Sequence, residues 1–309
     1  MVSAPPLVVV AGATATGKTE LGIRLAEQLL ADGRPAAVIS ADSRQVYRGL
    51  DIGTAKVSAA DRLKVPHHGL DLVDPPERFA VADFTRHAGA VLADLAQRDG
   101  VALLVGGTGL YLRAVARGID LGSLPDDPTV RARIEADLAR DGLAALVDRL
   151  TSLAPILAAE TDLANPRRVV RALEVAELRG DGPRPVPVGY PGPTAWIGLT
   201  VEPTELARRI GLRARAQFDA GLIEEAVALR ERFDPGLPAF SAIGYREAWA
   251  VADGTLSREA AIDADAARNV AFAKRQGTWF RSEPEMAWLD ATRDDPLPDA
   301  LERARRLVS

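Results

Sequence analysis

The chain contains no cysteine, which excludes disulfides, thiolate-held metals and a cysteine nucleophile. Histidine is scarce, with only three residues, His67, His68 and His87. Their spacing matches no zinc site, and His67-His68 beside Pro66 reads as a turn. No apolar run approaches the ~20 residues needed to span a bilayer. The N-terminus MVSAPPLVVVAG has neither a basic leader nor a cleavage site, so a cytoplasmic protein is expected, without membrane contact. Excess positive charge is also missing: the net charge of -5 offers nucleic acid no global attraction, and any such binding has to come from local basic patches. No internal repeat is visible.

What is present begins with core-forming residues, 47% apolar over 309 residues, enough for one large or two modest domains. The most informative stretch is VVVAGATATGKT, Val8 to Thr19, an apolar strand entering G-x-x-x-x-G-K-[ST]. Across Gly12, Ala13, Thr14, Ala15, Thr16, Gly17, Lys18 and Thr19 the glycines let consecutive backbone N–H groups turn inward on phosphate oxygens. Lys18 adds a charge, and the Thr19 hydroxyl is a ligand for Mg2+. Leu21, Leu25 and Leu29 mark the helix that follows, whose N-terminal dipole end faces the same anion. A nucleoside triphosphate and a simple diphosphate look alike to such donors, so the motif leaves the ester open.

Ala37 to Ala41 (AVISA) and Val101 to Val105 (VALLV) read as the second and third strands of a parallel sheet. Asp42 follows the second strand, where ligands of such sheets bind, though it is equally placed to cap the next turn. Gly106-Gly107-Thr108-Gly109 follows the third, either a tight turn or a close backbone approach to a ligand. No carboxylate follows VALLV, where many P-loop ATPases keep the acid that holds Mg2+. The polar stretches 51–56 and 66–76 are loops able to cover a pocket. Residues 120–193 change character to charged helices, one opened by Asp127-Pro128 and one by Asn165-Pro166, and form an insertion in a core made of 1–119 and 194–309. Arg167, Arg168 and Arg171 share a basic face there, a solvated surface or an RNA contact. Arg209 and Arg213, one turn apart on a later helix, suit a diphosphate clamp or surface ion pairs. In AFAKRQGTWFR, Ala271 to Arg281, cations alternate with rings, a pattern compatible with RNA or with a helix end packing its aromatics inward.

Taken in order, GATATGKT, SADSRQVYRGLDIGTAK, VPHHGLDLVDP, LLVGGTGLYLRA, NPRRVVRALEV, SAIGYREAW and AKRQGTWFR resemble the tRNA dimethylallyltransferase family. The resemblance runs from about Leu7 to Asp290. It implies a P-loop NTPase-like α/β core with an inserted, mainly helical tRNA-binding domain. It also implies transfer of a dimethylallyl group from dimethylallyl diphosphate to N6 of the adenine 3′ of the anticodon. By the same resemblance Asp42 is the general base, Thr108 contacts the target nucleotide, and Arg213 and Lys18 hold the leaving diphosphate with Mg2+ on Thr19. Asp42, Ser43, Arg44, Gln45, Thr108, Arg131 and the run Arg167, Arg168, Val169, Val170, Arg171 match tRNA contacts, the partner being the anticodon stem-loop of a tRNA bound by a monomer. Ala13, Thr16 and Gln217 depart from the family's usual Pro, Ser and Met. Rival readings are an adenylate isopentenyltransferase acting on free nucleotide, a P-loop small-molecule kinase, and a non-catalytic RNA-binding protein.

Overall fold

The alternation of apolar runs with amphipathic stretches builds a parallel sheet flanked by helices. The computed structural model describes residues 4–120 and 122–308. In chain order these form β1 (Leu7–Gly12), α1 (Lys18–Ala31), β2 (Ala36–Ala41), α2 (Ala59–Lys64), β3 (His67–His68), α3 (Val81–Gln97), β4 (Val101–Gly106) and α4 (Gly109–Ala116). Next come the helices α5 (Pro128–Leu153), α6 (Pro155–Ala159) and α7 (Pro166–Arg179). The chain closes with β5 (Thr194–Thr200), α8 (Pro203–Asp219), α9 (Leu222–Arg232), α10 (Tyr245–Ala252), α11 (Arg258–Phe280), β6 (Met286–Asp290) and α12 (Leu297–Val308).

Strand order is β3-β2-β4-β1-β5-β6, and all pairings are parallel. Successive residues of β1 enter opposite cores. Leu7, Val9 and Ala11 pack with Phe84, Leu112 and Phe280, whereas Val8 and Val10 pack with Leu21, Leu25 and Leu29 of α1 and Ala300 of α12. Burial on both faces is why this strand reads as a continuous apolar run instead of an alternation. One expectation is corrected: His67-His68 is not a turn but a short edge strand paired with Val38 and Ile39. A ladder that short leaves no period-two pattern in the sequence.

Contacts divide the chain into two compact units, Met1–Gly118 with Gly189–Ser309, and Ile119–Val188. Gly189 to Pro193, counted with the insertion in the sequence reading, run with the sheet unit. Gly189 N–H donates to the Arg117 carbonyl at 3.0 Å, and the Tyr190 hydroxyl donates to the Pro5 carbonyl at 2.8 Å. In the helical unit Asp127 caps α5 by accepting from the Thr129 amide at 2.7 Å, and Pro128 sits where its missing N–H costs nothing. Gly142, at φ 81°, kinks α5, which lets Ile134, Leu146 and Leu150 close on Val169, Val170 and Leu173 of α7.

Candidate active site

The site is assembled at the C-terminal end of the sheet around β1, where the strand connections diverge to either side. Between β1 and α1 the loop curls through two left-handed residues, Ala15 (φ 62°) and Gly17 (φ 91°). The first is a conformation that alanine adopts at a cost of about 1–2 kcal/mol. Among the described residues the amides of Ala15, Gly17, Lys18 and Thr19 have no acceptor, and they open the N-terminus of α1 as anion donors. Thr14 differs from its neighbours. Its amide donates to the Gln276 side chain at 2.8 Å and its hydroxyl accepts from Arg213 Nη1 at 2.9 Å. The Thr14 N–H is therefore not one of the free phosphate donors.

Lys18 Nζ donates to the Ala13 carbonyl at 3.1 Å. Burial and the nearby Arg213 guanidinium lower its pKa to about 8, against a favourable contribution from Asp42. Arg213 is likewise pushed below its ordinary value by burial, opposed by the charges of Asp42 and Asp265. Two crowded cations, neither bonded to a carboxylate among the described residues, form a site that gains from a multivalent anion. Lys18, Thr19 and Arg213 line a cavity of about 1000 Å³ whose facing wall includes Ala55, Lys56 and Ser58. Arg209 also borders it but is committed elsewhere, to Glu205 at 2.8 Å and to the Ala291 carbonyl at 2.9 Å. The expected two-arginine clamp is thus reduced to Arg213.

On the other flank the ends of β2 and β4 are joined. The Thr108 amide donates to the Ala41 carbonyl at 3.1 Å, and the Thr108 hydroxyl accepts from the Ser43 amide at 3.0 Å. Asp42 Oδ1 accepts from the Arg44 amide at 2.8 Å, so Asp42 does cap its turn, and this leaves Oδ2 without a hydrogen bond among the described residues. The capping reading of Asp42 therefore holds, and it occupies only one of the two carboxylate oxygens. Arg44 reaches the Pro238 carbonyl at 2.9 Å. Gln45 spends its side chain internally, accepting from Ser40 at 2.7 Å and donating to the Thr54 carbonyl at 3.0 Å.

Several residues that hold the site together escaped sequence reasoning. Glu225 accepts from the amides of Asp51, Ile52 and Gly53 at 3.1, 2.7 and 3.1 Å and from the Tyr245 hydroxyl at 2.6 Å. Gln217 donates to the carbonyls of Ile52 and Gly53 at 2.6 and 3.0 Å, a job the family's usual Met has no donor for. Lys56, its side chain only 2% exposed, pairs with Asp51 at 2.7 Å and Asp71 at 2.6 Å. Loop 51–56 is consequently a clamped wall. Gln276 ties α11 to the Thr14 amide and to the Gly107 carbonyl, the latter at 2.9 Å. Its signal was a lone amide inside a stretch that drew attention only for cations and rings. Those rings split: Phe280 is buried, Trp279 lies under Arg113 with 4.3 Å to the ring centroid, and Phe272 stays exposed.

In the helical unit the expected tRNA-contacting run is divided by burial. Val169 and Val170 face inward, their side chains buried in the helical core. The reason is the helical period, which turns them toward α5. Arg131 and Arg171 both bond the buried Glu174, at 2.6 and 2.8 Å, and Arg168 pairs with Asp162 at 3.3 Å. Arg167 is exposed and has no side-chain partner among the described residues.

A parallel sheet with a P-loop, a free carboxylate oxygen at the next strand end and two unneutralised cations define a P-loop α/β enzyme that works on a phosphate or diphosphate ester. Residues 45–283 match the IPP transferase family, and the chain belongs to it. The tRNA dimethylallyltransferase of Kineococcus radiotolerans is 42% identical over 313 residues, covering 98% of this chain and 95% of that protein. The solved tRNA isopentenylpyrophosphate transferase of Bacillus halodurans is 40% identical, with TM-score 0.70 over 97% of this chain and 95% of the other. A eukaryotic dimethylallyltransferase solved acting on tRNA shares the fold, with TM-score 0.75 at 23% identity over 94% of this chain and 74% of the other.

Proposed function

We propose that this chain transfers a dimethylallyl group from dimethylallyl diphosphate to the N6 amine of the adenine 3′ of a tRNA anticodon, releasing diphosphate. The observation that carries this reading is the placement of Asp42 beside a cradle of Lys18 and Arg213, with its Oδ2 unbonded and neither cation bonded to a carboxylate among the described residues. The allylic C–O bond breaks as charge builds on the diphosphate, where the loop amides, Lys18 and Arg213 stabilise it. The N6 nitrogen bonds to the allylic carbon and gives its proton to Asp42. Thr108, fixed on the Ser43 amide, orients the acceptor nucleotide, which has to leave its stack to reach this depth. Mg2+ characteristically takes few protein oxygens and several from phosphate and water. The Thr19 hydroxyl, on the cavity wall beside Lys18, fits as one such ligand, and Mg2+ bound there supplies further neutralisation of the diphosphate. Arg167 and Arg168 on the helical unit contribute phosphate-backbone attraction to a tRNA.

The test is incubation with dimethylallyl diphosphate and an unmodified tRNA carrying that adenine, followed by nucleoside mass analysis, with AMP as the competing acceptor. Prenylated adenosine in tRNA is expected, and Asp42→Asn lowers turnover on the order of 10²- to 10⁴-fold. Modification of AMP alone, or full turnover by Asp42→Asn, overturns the assignment.

A further inference from the structure

A second concave site lies on the flank of the P-loop away from Asp42. Asp42 and Thr108 follow β2 and β4, on one side of β1, whereas β5 and β6 lie on the other. Above β5, Leu206, Ala207 and Ile210 of α8 face Val270, Ala273 and Gly277 of α11 across a cavity of about 690 Å³. That volume is in the range of small-molecule sites, about 300–1,000 Å³. Its floor includes Leu199 and the back of the P-loop at Ala13, and Trp288 of β6 forms an outer wall, 40% exposed.

Two cations stand on this otherwise apolar wall. Lys274 of α11 and Arg281, the residue that caps its C-terminus, are seven residues apart and both line the cavity. Neither has a carboxylate partner among the described residues, and the Arg281 guanidinium reaches only the Thr278 hydroxyl at 3.1 Å. An apolar hollow with unpaired cations at its lip is complementary to a molecule with a hydrocarbon body and an anionic head. An RNA strand laid across α11 would use the same cations but has no need of the hollow. Ala13 connects this cavity to the cradle: its residue lines the cavity while its carbonyl accepts from Lys18 Nζ at 3.1 Å and from the Thr16 hydroxyl at 2.9 Å.

We propose that this cavity binds an amphipathic organic anion, a hydrocarbon chain ending in phosphate or carboxylate, and that occupancy alters diphosphate affinity through Ala13. The full chain is titrated with decyl phosphate, decanoate, 1-decanol and inorganic phosphate while tryptophan emission is followed. Binding of one or both anions is expected, with the signal lost in Trp288→Phe. The uncharged alcohol and free phosphate should bind at least about tenfold more weakly. Which head group wins separates a lipid-derived phosphate from a fatty acid. Gly277→Leu is the blocking variant. A Cβ there meets only Arg281 Nη1, at 3.6 Å, so a leucine has room to enter the cavity, and glycine is the poorer helix former. It abolishes binding with the circular dichroism spectrum unchanged, and Lys274→Ala or Arg281→Ala weakens it about tenfold.

In a saturating concentration of whichever alkyl anion binds, the affinity for inorganic diphosphate should change at least about twofold in the wild-type chain and not in Gly277→Leu. Several outcomes overturn the site: no alkyl binding, decanol binding as tightly as the anions, or unaltered binding in Gly277→Leu. RNA binding that depends on Lys274, without alkyl binding, assigns the cations to RNA and also overturns it. An unchanged diphosphate affinity overturns the coupling. These readouts are binding alone, so they stand or fall separately from prenyl transfer.

Discussion

Lys18 and Asp265 are displaced from their ordinary ionisation in opposite senses, and each displacement has a measurable consequence. Burial and Arg213 lower the Lys18 pKa to about 8, and a bound diphosphate favours its ammonium form. Affinity for diphosphate should therefore be insensitive to Lys18 below pH 8 and fall above it, approaching about tenfold per unit. Calorimetric titrations between about pH 6.5 and 9.5 should show that break, and Lys18→Arg, cationic throughout, should lack it. Identical profiles overturn the prediction. Asp265 is 1% exposed. Burial raises its pKa to about 6, with Glu247 adding to the rise and hydrogen bonding to Asn269 opposing it. Because the folded value exceeds the unfolded one, its contribution to stability is full below about pH 3.8 and is lost as pH rises through 6. Asp265→Asn keeps an acceptor for Asn269, which donates to Oδ1 at 2.7 Å. It should stabilise the protein by about 1–3 kcal/mol at neutral pH and by nearly nothing near pH 4, measured by urea unfolding. The alternation of Asp263 and Asp265 with alanines gave no warning of this. Residue identity is local, but desolvation is set by what other elements lay over the group.

At the scale of elements, loop 51–56 is a wall held from three directions by α8, α9 and α10. A Cβ on Gly53 would sit 2.6 Å from Cε2 and Cζ of the Tyr245 ring, so Gly53→Ala has to shift the loop or the ring. Misplacing a site wall by about 1 Å can cost about 10²-fold in rate. A loss of kcat/KM on the order of 10- to 100-fold is expected from steady-state kinetics, with the fold intact by circular dichroism. Tyr245→Phe, losing only the hydroxyl bonded to Glu225, should cost about 0.5–1.5 kcal/mol of stability. A fully active Gly53→Ala would remove the clamp from the argument. The polar loop was legible, and so were the caps at Asp127 and Asn165, because turn and cap chemistry acts within a few residues. The clamp was not legible, since Gln217, Glu225 and Tyr245 lie far along the chain and a carboxylate bonded to three amides has no sequence spacing of its own.

For the whole molecule, separate cores in the two units imply separable melting. Leu150 is fully buried in the helical core, and Leu150→Ala should cost about 2–5 kcal/mol there. Calorimetry should show one transition lowered and the other unmoved, a departure from two-state unfolding. Diphosphate affinity should persist while tRNA affinity falls. A single cooperative shift of both transitions would show the units to be energetically coupled instead.

The phosphate loop, the parallel α/β class and the family's ordered motifs were determined by the sequence alone. Backbone curvature at glycine, burial on both faces of β1 and capping at helix ends are properties of residues close together in the chain. Only the tertiary structure decided which cations remain available. Among the described residues it left Lys18 and Arg213 without a bonded carboxylate, turned Arg209, Arg131 and Arg171 onto carboxylates, and gave the two oxygens of Asp42 different surroundings. Whether a charge is spent or free depends on partners brought from distant segments, and no local pattern encodes that pairing.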